Sequence, residues 1–85
     1  MKRPVWKSRK TIWSFTTGML YARAFGLLLS VNVYKNGKTI ALVEHKRVDD
    51  GAIETVARFE FGGAEPEDIQ NAKRWCEETA AKGWG

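Results

Sequence analysis

Residues 18–33 read GMLYARAFGLLLSVNV and follow a basic head, residues 1–10, that reads MKRPVWKSRK. A basic head before an apolar run is the pattern of a secretion signal or a membrane anchor. It is equally the pattern of a sheet strand that is apolar on one side, and spacing decides between them. A spanning helix needs about 20 successive apolar residues. Arg23 interrupts this run, and an arginine at a helix centre costs about 2.5–3.5 kcal/mol on insertion scales. The uncharged piece beyond it, residues 24–34, contains Gly26, Ser30 and Asn32 and is too short to span. Ala22-Arg23-Ala24 matches a small-x-small cleavage pattern, but Ser14, Thr16 and Thr17 dilute the apolar core that a signal peptide needs. No membrane contact is expected.

A period of two explains more residues. From Phe25 the odd positions are Phe25, Leu27, Leu29, Val31 and Val33, all apolar, and the even positions Gly26, Leu28, Ser30, Asn32 and Tyr34 are mixed. That alternation predicts a half-buried strand. Asn36-Gly37 follows, a strong hairpin signal because both central residues of a type I′ turn need positive φ. A two-residue loop there sets Val33 opposite Ile40 and Val31 opposite Leu42. Asp50-Gly51 reads as a second such turn. It sets Leu42 opposite Phe59, Ile40 opposite Phe61, Arg47 opposite Glu54 and His45 opposite Val56.

Gly62-Gly63 ends the sheet, and EPEDIQNAKRWCEETAAKGWG reads as a helix. Pro66 suits its first position, and Glu65, Glu67 and Asp68 complement its positive end. Ile69, Ala72, Cys76 and Ala80 form one stripe, flanked by Trp75 and Thr79. Gly83 fits the residue after the C-cap, with Trp84 as its apolar partner. The helix is expected to roof Leu29, Val31, Val33, Ile40, Leu42, Phe59 and Phe61. Upstream, in residues 11–20, TIWSFTT reads either as a further edge strand paired with the first or as an irregular segment crossing the sheet, and Gly26 as a bulge. The expected fold is α+β: a three- to four-stranded antiparallel β-meander with one C-terminal α-helix packed on one face. Residues 1–10 form a basic arm and residues 11–85 the domain.

Composition narrows the chemistry. A chain of 85 residues makes one small domain. A single cysteine forbids an internal disulfide, and one Cys with one His cannot complete a four-ligand zinc site. No metal or cofactor is expected, and a cytoplasmic setting is. The net charge of +4 belongs to the head: Lys2, Arg3, Lys7, Arg9 and Lys10 leave nine basic against ten acidic residues in the rest. Catalysis is not expected. Cys76 lies on the buried stripe, where free cysteine acts as a small hydrophobe. His45 has no Cys or Ser beside it to activate. Gly62-Gly63 lacks the Gly-Lys-Ser/Thr of a phosphate loop. Glu67-Asp68 and Glu77-Glu78 are neighbours along a helix, pointing in different directions.

Two binding surfaces remain. In the head, Trp6 is interleaved with Lys2, Arg3, Lys7, Arg9 and Lys10, the combination that neutralises phosphates and stacks on exposed bases. The outer sheet face is the other, with Tyr34, Val43, His45, Arg47, Val56 and Arg58 as its candidate contacts. It is too apolar for a purely solvated face. Its cover is the N-terminal segment, a second copy of the chain or a partner protein, and edge-strand pairing is a further route to a partner.

YARAFGLLLSV and the ending AEPEDIQNAKRWCEETAA resemble small uncharacterised accessory proteins of bacteriophages and prophages. In these a short antiparallel sheet leads into an (E/D)-x-x-x-A-K-x-x-x-E helix, matched here by Glu67 or Asp68, Ala72, Lys73 and Glu77. The resemblance covers about the last two-thirds of the chain. It implies a phage-type protein that binds and blocks a host or defence protein, as anti-CRISPR proteins do, and it transfers no binding residue. The functional expectation is a non-catalytic protein-binding module acting stoichiometrically. The alternative is a small nucleic-acid-binding protein using the basic head.

Overall fold

Residues 18–33 form two strands, folded back on themselves at Phe25-Gly26. The computed structural model describes residues 4–9 and 16–82. Among them run β1 (Lys7–Arg9), β2 (Thr16–Ala24), β3 (Leu27–Tyr34), β4 (Thr39–Lys46), β5 (Ile53–Phe61) and α1 (Pro66–Ala81). The strands pair antiparallel in chain order, β1-β2-β3-β4-β5. The protein is thus an α+β fold, a five-stranded meander with one C-terminal helix packed against it. No described helix is long and apolar enough to cross a membrane.

Three turns set the faces of this sheet, and each differs from its sequence expectation. Phe25 and Gly26 both take positive φ, 53° and 74°. Ala24 pairs directly with Leu27 across them, so this is the primed two-residue hairpin that strand twist favours. Gly26 is therefore a turn residue and not a bulge. A phenylalanine at positive φ is rare. Here it also prolongs the apolar odd series beyond the true strand end, which is why the alternation alone runs one strand into the next.

Asn36-Gly37 makes no two-residue loop. Tyr34 N–H donates to Lys38 O at 2.8 Å and Gly37 N–H donates to Tyr34 O at 3.1 Å. The loop is therefore the three residues 35–37, and of these only Gly37 takes positive φ, 86°. Three-residue loops of this kind end in a left-handed glycine. The extra residue slips the register by one: Val33 pairs with Thr39, Val31 with Ala41 and Leu29 with Val43. The expected Val33–Ile40 and Val31–Leu42 pairs do not form. A one-residue slip inverts a strand's faces, so β4 turns Thr39, Ala41 and Val43 toward the helix and Ile40 and Leu42 away from it.

The third turn is longer again. Arg47 N–H donates to Ala52 O at 2.8 Å, Gly51 N–H donates to Arg47 O at 3.0 Å, and Gly51 has φ 71°. His45 then faces Glu54, and after an irregularity at Val43/Glu44 the pairs become Val43–Ala57, Ala41–Phe59 and Thr39–Phe61. Val56 is the extra residue of a β-bulge. The expected Leu42–Phe59, Ile40–Phe61, Arg47–Glu54 and His45–Val56 pairs are replaced accordingly.

On the helix side, Ala22, Leu27, Leu29, Val31, Ala41 and Val43 meet Ala72, Cys76 and Ala80 of α1, all buried. Full burial of Leu29, Val31 or Val43 contributes about 1.5–3 kcal/mol each. Small residues on both surfaces let α1 lie close on β3 and β4. Its start is pinned twice: Glu65 N–H donates to Asp68 Oδ2 at 3.1 Å, and the buried Thr39 Oγ1 donates to Gly63 O at 2.8 Å. A Cβ at Gly63 would stand 2.5 Å from Asp68 Oδ2, so a larger residue there would push the Asp68 carboxylate from its place at the helix start. Residues 11–15, Gly83 and Trp84, for which a strand or crossing segment and a helix stop are expected, lie outside the described residues.

Candidate functional site: the sheet face opposite the helix

Strand alternation sends Met19, Tyr21 and Arg23 of β2 to the side opposite α1, with Leu28, Ser30, Asn32 and Tyr34 of β3 and Ile40, Leu42 and Glu44 of β4. Lys7 and Arg9 of β1 and Arg58 and Glu60 of β5 complete it at the two edges. The centre is a patch of half-buried Leu28, Ile40 and Leu42 around Ser30. Ser30 is only 4% exposed, and its hydroxyl has no hydrogen-bond partner. Leaving a buried hydroxyl unpaired costs about 1–3 kcal/mol. The β1–β2 flank is basic: Lys7 sits opposite Tyr21, Arg9 opposite Met19, and Arg23 follows on the same strand face. Tyr21 is 37% exposed. At the β5 flank Lys38 Nζ lies 3.2 Å from Glu60 Oε1, both well exposed.

The six residues expected to form an outer docking face are divided by the slipped register. Tyr34 and Arg58 do lie on that outer face, which no described element covers. Val43 lies on the other side, fully buried beneath α1, and Val56, in the bulge, packs half-buried against the same core. Neither can meet a partner on the outer face. His45 shares Val43's side, with Nδ1 3.4 Å from Glu54 Oε1. Arg47 sits at the β4–β5 turn and donates from Nη2 to Asp50 Oδ2 at 3.3 Å. Ile40, Leu42 and Tyr21 take the vacated places. The alternation Met19, Tyr21, Arg23 against Leu20, Ala22, Ala24 carried the signal for Tyr21, once the turn at Phe25-Gly26 is recognised.

The basic head is likewise divided. Lys7–Arg9 is the edge strand β1, with Lys7 and Arg9 on the uncovered face. Trp6 points to the helix side, packs half-buried against the core and donates from Nε1 to Glu77 Oε2 at 2.8 Å. Its packing against the core takes up ring surface that base stacking would use. Lys2, Arg3 and Lys10 lie outside the described residues.

Cys76 is fully buried, its Sγ 3.7 Å from the carbonyl oxygens of both Ser30 and Leu42. Burial pushes its thiol from 9.0 up to about 12, against the smaller opposing effect of those two carbonyl contacts. At neutral pH it is a protonated packing residue and no nucleophile. Among the described residues no group of three or more His, Cys, Asp or Glu is placed to hold a metal ion. The chain matches no family model, no curated protein and no solved structure.

Proposed function

We propose that the protein is a small non-catalytic binding module, cytoplasmic, that docks a protein partner on its uncovered sheet face. The observation that carries this reading is the centre of that face, where Leu28, Ile40 and Leu42 form a half-buried apolar patch. Such a patch fits a partner that contributes apolar area, while the Ser30 hydroxyl beneath it is sealed from solvent and stays internal. Action is stoichiometric: the partner is occupied and blocked, the mode implied by the resemblance to phage accessory proteins. The lone, deeply buried thiol of Cys76 accords with a reducing compartment.

Ile40→Glu and Leu42→Glu should each abolish capture of a host protein by the immobilised chain, with nuclease treatment making no difference. Equal capture by wild type and both variants, with far-ultraviolet circular dichroism showing intact folds, would overturn the assignment. A second reading rests on a different observation, the basic flank of Lys7, Arg9 and Arg23 beside the exposed Tyr21. It predicts binding of a labelled single-stranded oligonucleotide that weakens steeply with salt. An absence of binding at low salt removes it.

A further inference from the structure

Among the described residues the sheet has two edges, β1 and β5, and they differ in what they offer a neighbour. β1 is short and carries Lys7 and Arg9. Paired antiparallel with itself about Ser8, it would set Lys7 against Arg9 of a second copy, like against like. β5 is the long edge, Ile53–Phe61, and α1 leans on β3 and β4 far more than on β5. Past the bulge at Val56, its run 57–61 is regular. Within this run Phe59 is 46% exposed, its ring 4.7 Å from that of Phe61 and 5.7 Å from that of Trp75. Arg58 and Glu60 point to the uncovered face on either side of it.

This edge is complementary to itself. We infer that the protein forms a two-fold symmetric dimer by antiparallel pairing of β5 with β5 of a second copy, centred on Phe59. In that register Phe59 meets Phe59, Arg58 meets Glu60 of the second copy, Glu60 meets its Arg58, and Ala57 meets Phe61. All partners share a face, because a two-fold axis perpendicular to a sheet preserves its sides. Charge complementarity is thus satisfied twice by a single contact type, as an isologous interface requires. Phe59 gains a cross-strand aromatic partner, and the unpaired backbone groups of a long edge are satisfied. The result is one continuous ten-stranded sheet whose two uncovered faces lie side by side, doubling the surface assigned above to partner docking. The dimer does not depend on that assignment.

Sedimentation equilibrium at protein concentrations on the order of 100 μM should give about twice the 9.6 kDa chain mass. Arg58→Glu opposes two carboxylates and Glu60→Arg opposes two cations, so each variant alone should sediment as a monomer. Mixed in equal amounts, the two variants should recover the dimer mass, because the acidic edge of one then meets the basic edge of the other. The double variant Arg58→Glu/Glu60→Arg should dimerise as wild type does. A monomeric wild type overturns the proposal. So does undiminished dimerisation of both single variants, or a dimer lost on Ile40→Glu but kept on Arg58→Glu.

Discussion

Ser30 holds the one buried side-chain polar atom without a partner among the described residues, and it does so at the middle of an otherwise well-paired sheet. Its backbone is committed to β3, so the hydroxyl cannot leave by local rearrangement. Ser30→Ala should therefore stabilise the isolated chain by up to about 1 kcal/mol, since it removes an unmet polar group and leaves no large cavity. Urea denaturation measures this directly, and a clear loss of stability would mean that the hydroxyl is satisfied in the free protein. Cys76 lies on the helix side of that backbone, its Sγ against the Ser30 carbonyl. In the folded chain its thiol ionises near pH 12, in the unfolded chain near its ordinary 9.0. The unfolded chain thus sheds the proton first as pH rises. The stability this group contributes is complete below pH 9 and fades between pH 9 and 12. The stability gap between wild type and Cys76→Ala should narrow across that window and be constant below it. A matched test is alkylation: Cys76 should react with iodoacetamide at pH 8 only on unfolding.

The three hairpins show how turn chemistry governs which side chains face the helix. Phe25 occupies a position where a side chain at positive φ is strained, and it is 56% exposed, so little burial is at stake. Phe25→Asn converts the turn to Asn-Gly, the preferred pair for this conformation. It should stabilise the protein by about 1 kcal/mol, read as a rise in the thermal midpoint. A fall would show that the Phe25 ring contributes more by packing than its backbone costs. The same turns mark the limit of what the sequence discloses. The helix with its acidic start, the Ala72–Cys76–Ala80 stripe and the apolar side of β3 follow from periodicities that many residues reinforce. The facing of β4 hangs on one residue. Lys38–Val43 alternates Thr39, Ala41, Val43 against Ile40, Leu42, and both series are apolar enough to serve as a core. Only the loop length chooses between them, and Asn36-Gly37 is compatible with a two-residue or a three-residue loop. The candidate face inherited that ambiguity: Tyr34 and Arg58 stayed on it, Val43 changed sides with β4, and Val56 was displaced separately by the bulge in β5.

The closure of the molecule joins its two ends. The first described strand and the last helix meet where Trp6 donates its indole N–H to Glu77, a contact spanning 71 positions of the chain. Trp6 also packs half-buried against the core cluster, as Leu20 does. Lys7–Arg9 therefore does two things at once. It brings two cations to the uncovered face, and through Trp6 it roofs the β2 edge of the core on the opposite side. A solvated tail would make no such contribution, and the distinction is measurable. Removing residues 1–9 should lower the unfolding free energy by about 2–4 kcal/mol, a loss comparable to truncating a large aromatic at a partly closed site. That is a large share of the total for a domain of this size. Trp6→Phe should recover most of it, failing only by the lost hydrogen bond, about 0.5–1.5 kcal/mol. Glu77→Gln keeps an acceptor oxygen and should cost less than Trp6→Ala. If instead truncation leaves the urea midpoint unchanged, the basic head is a free arm. Its cations would then be available to a phosphate backbone without any change in the sheet, and the nucleic-acid reading would gain what the protein-docking reading loses.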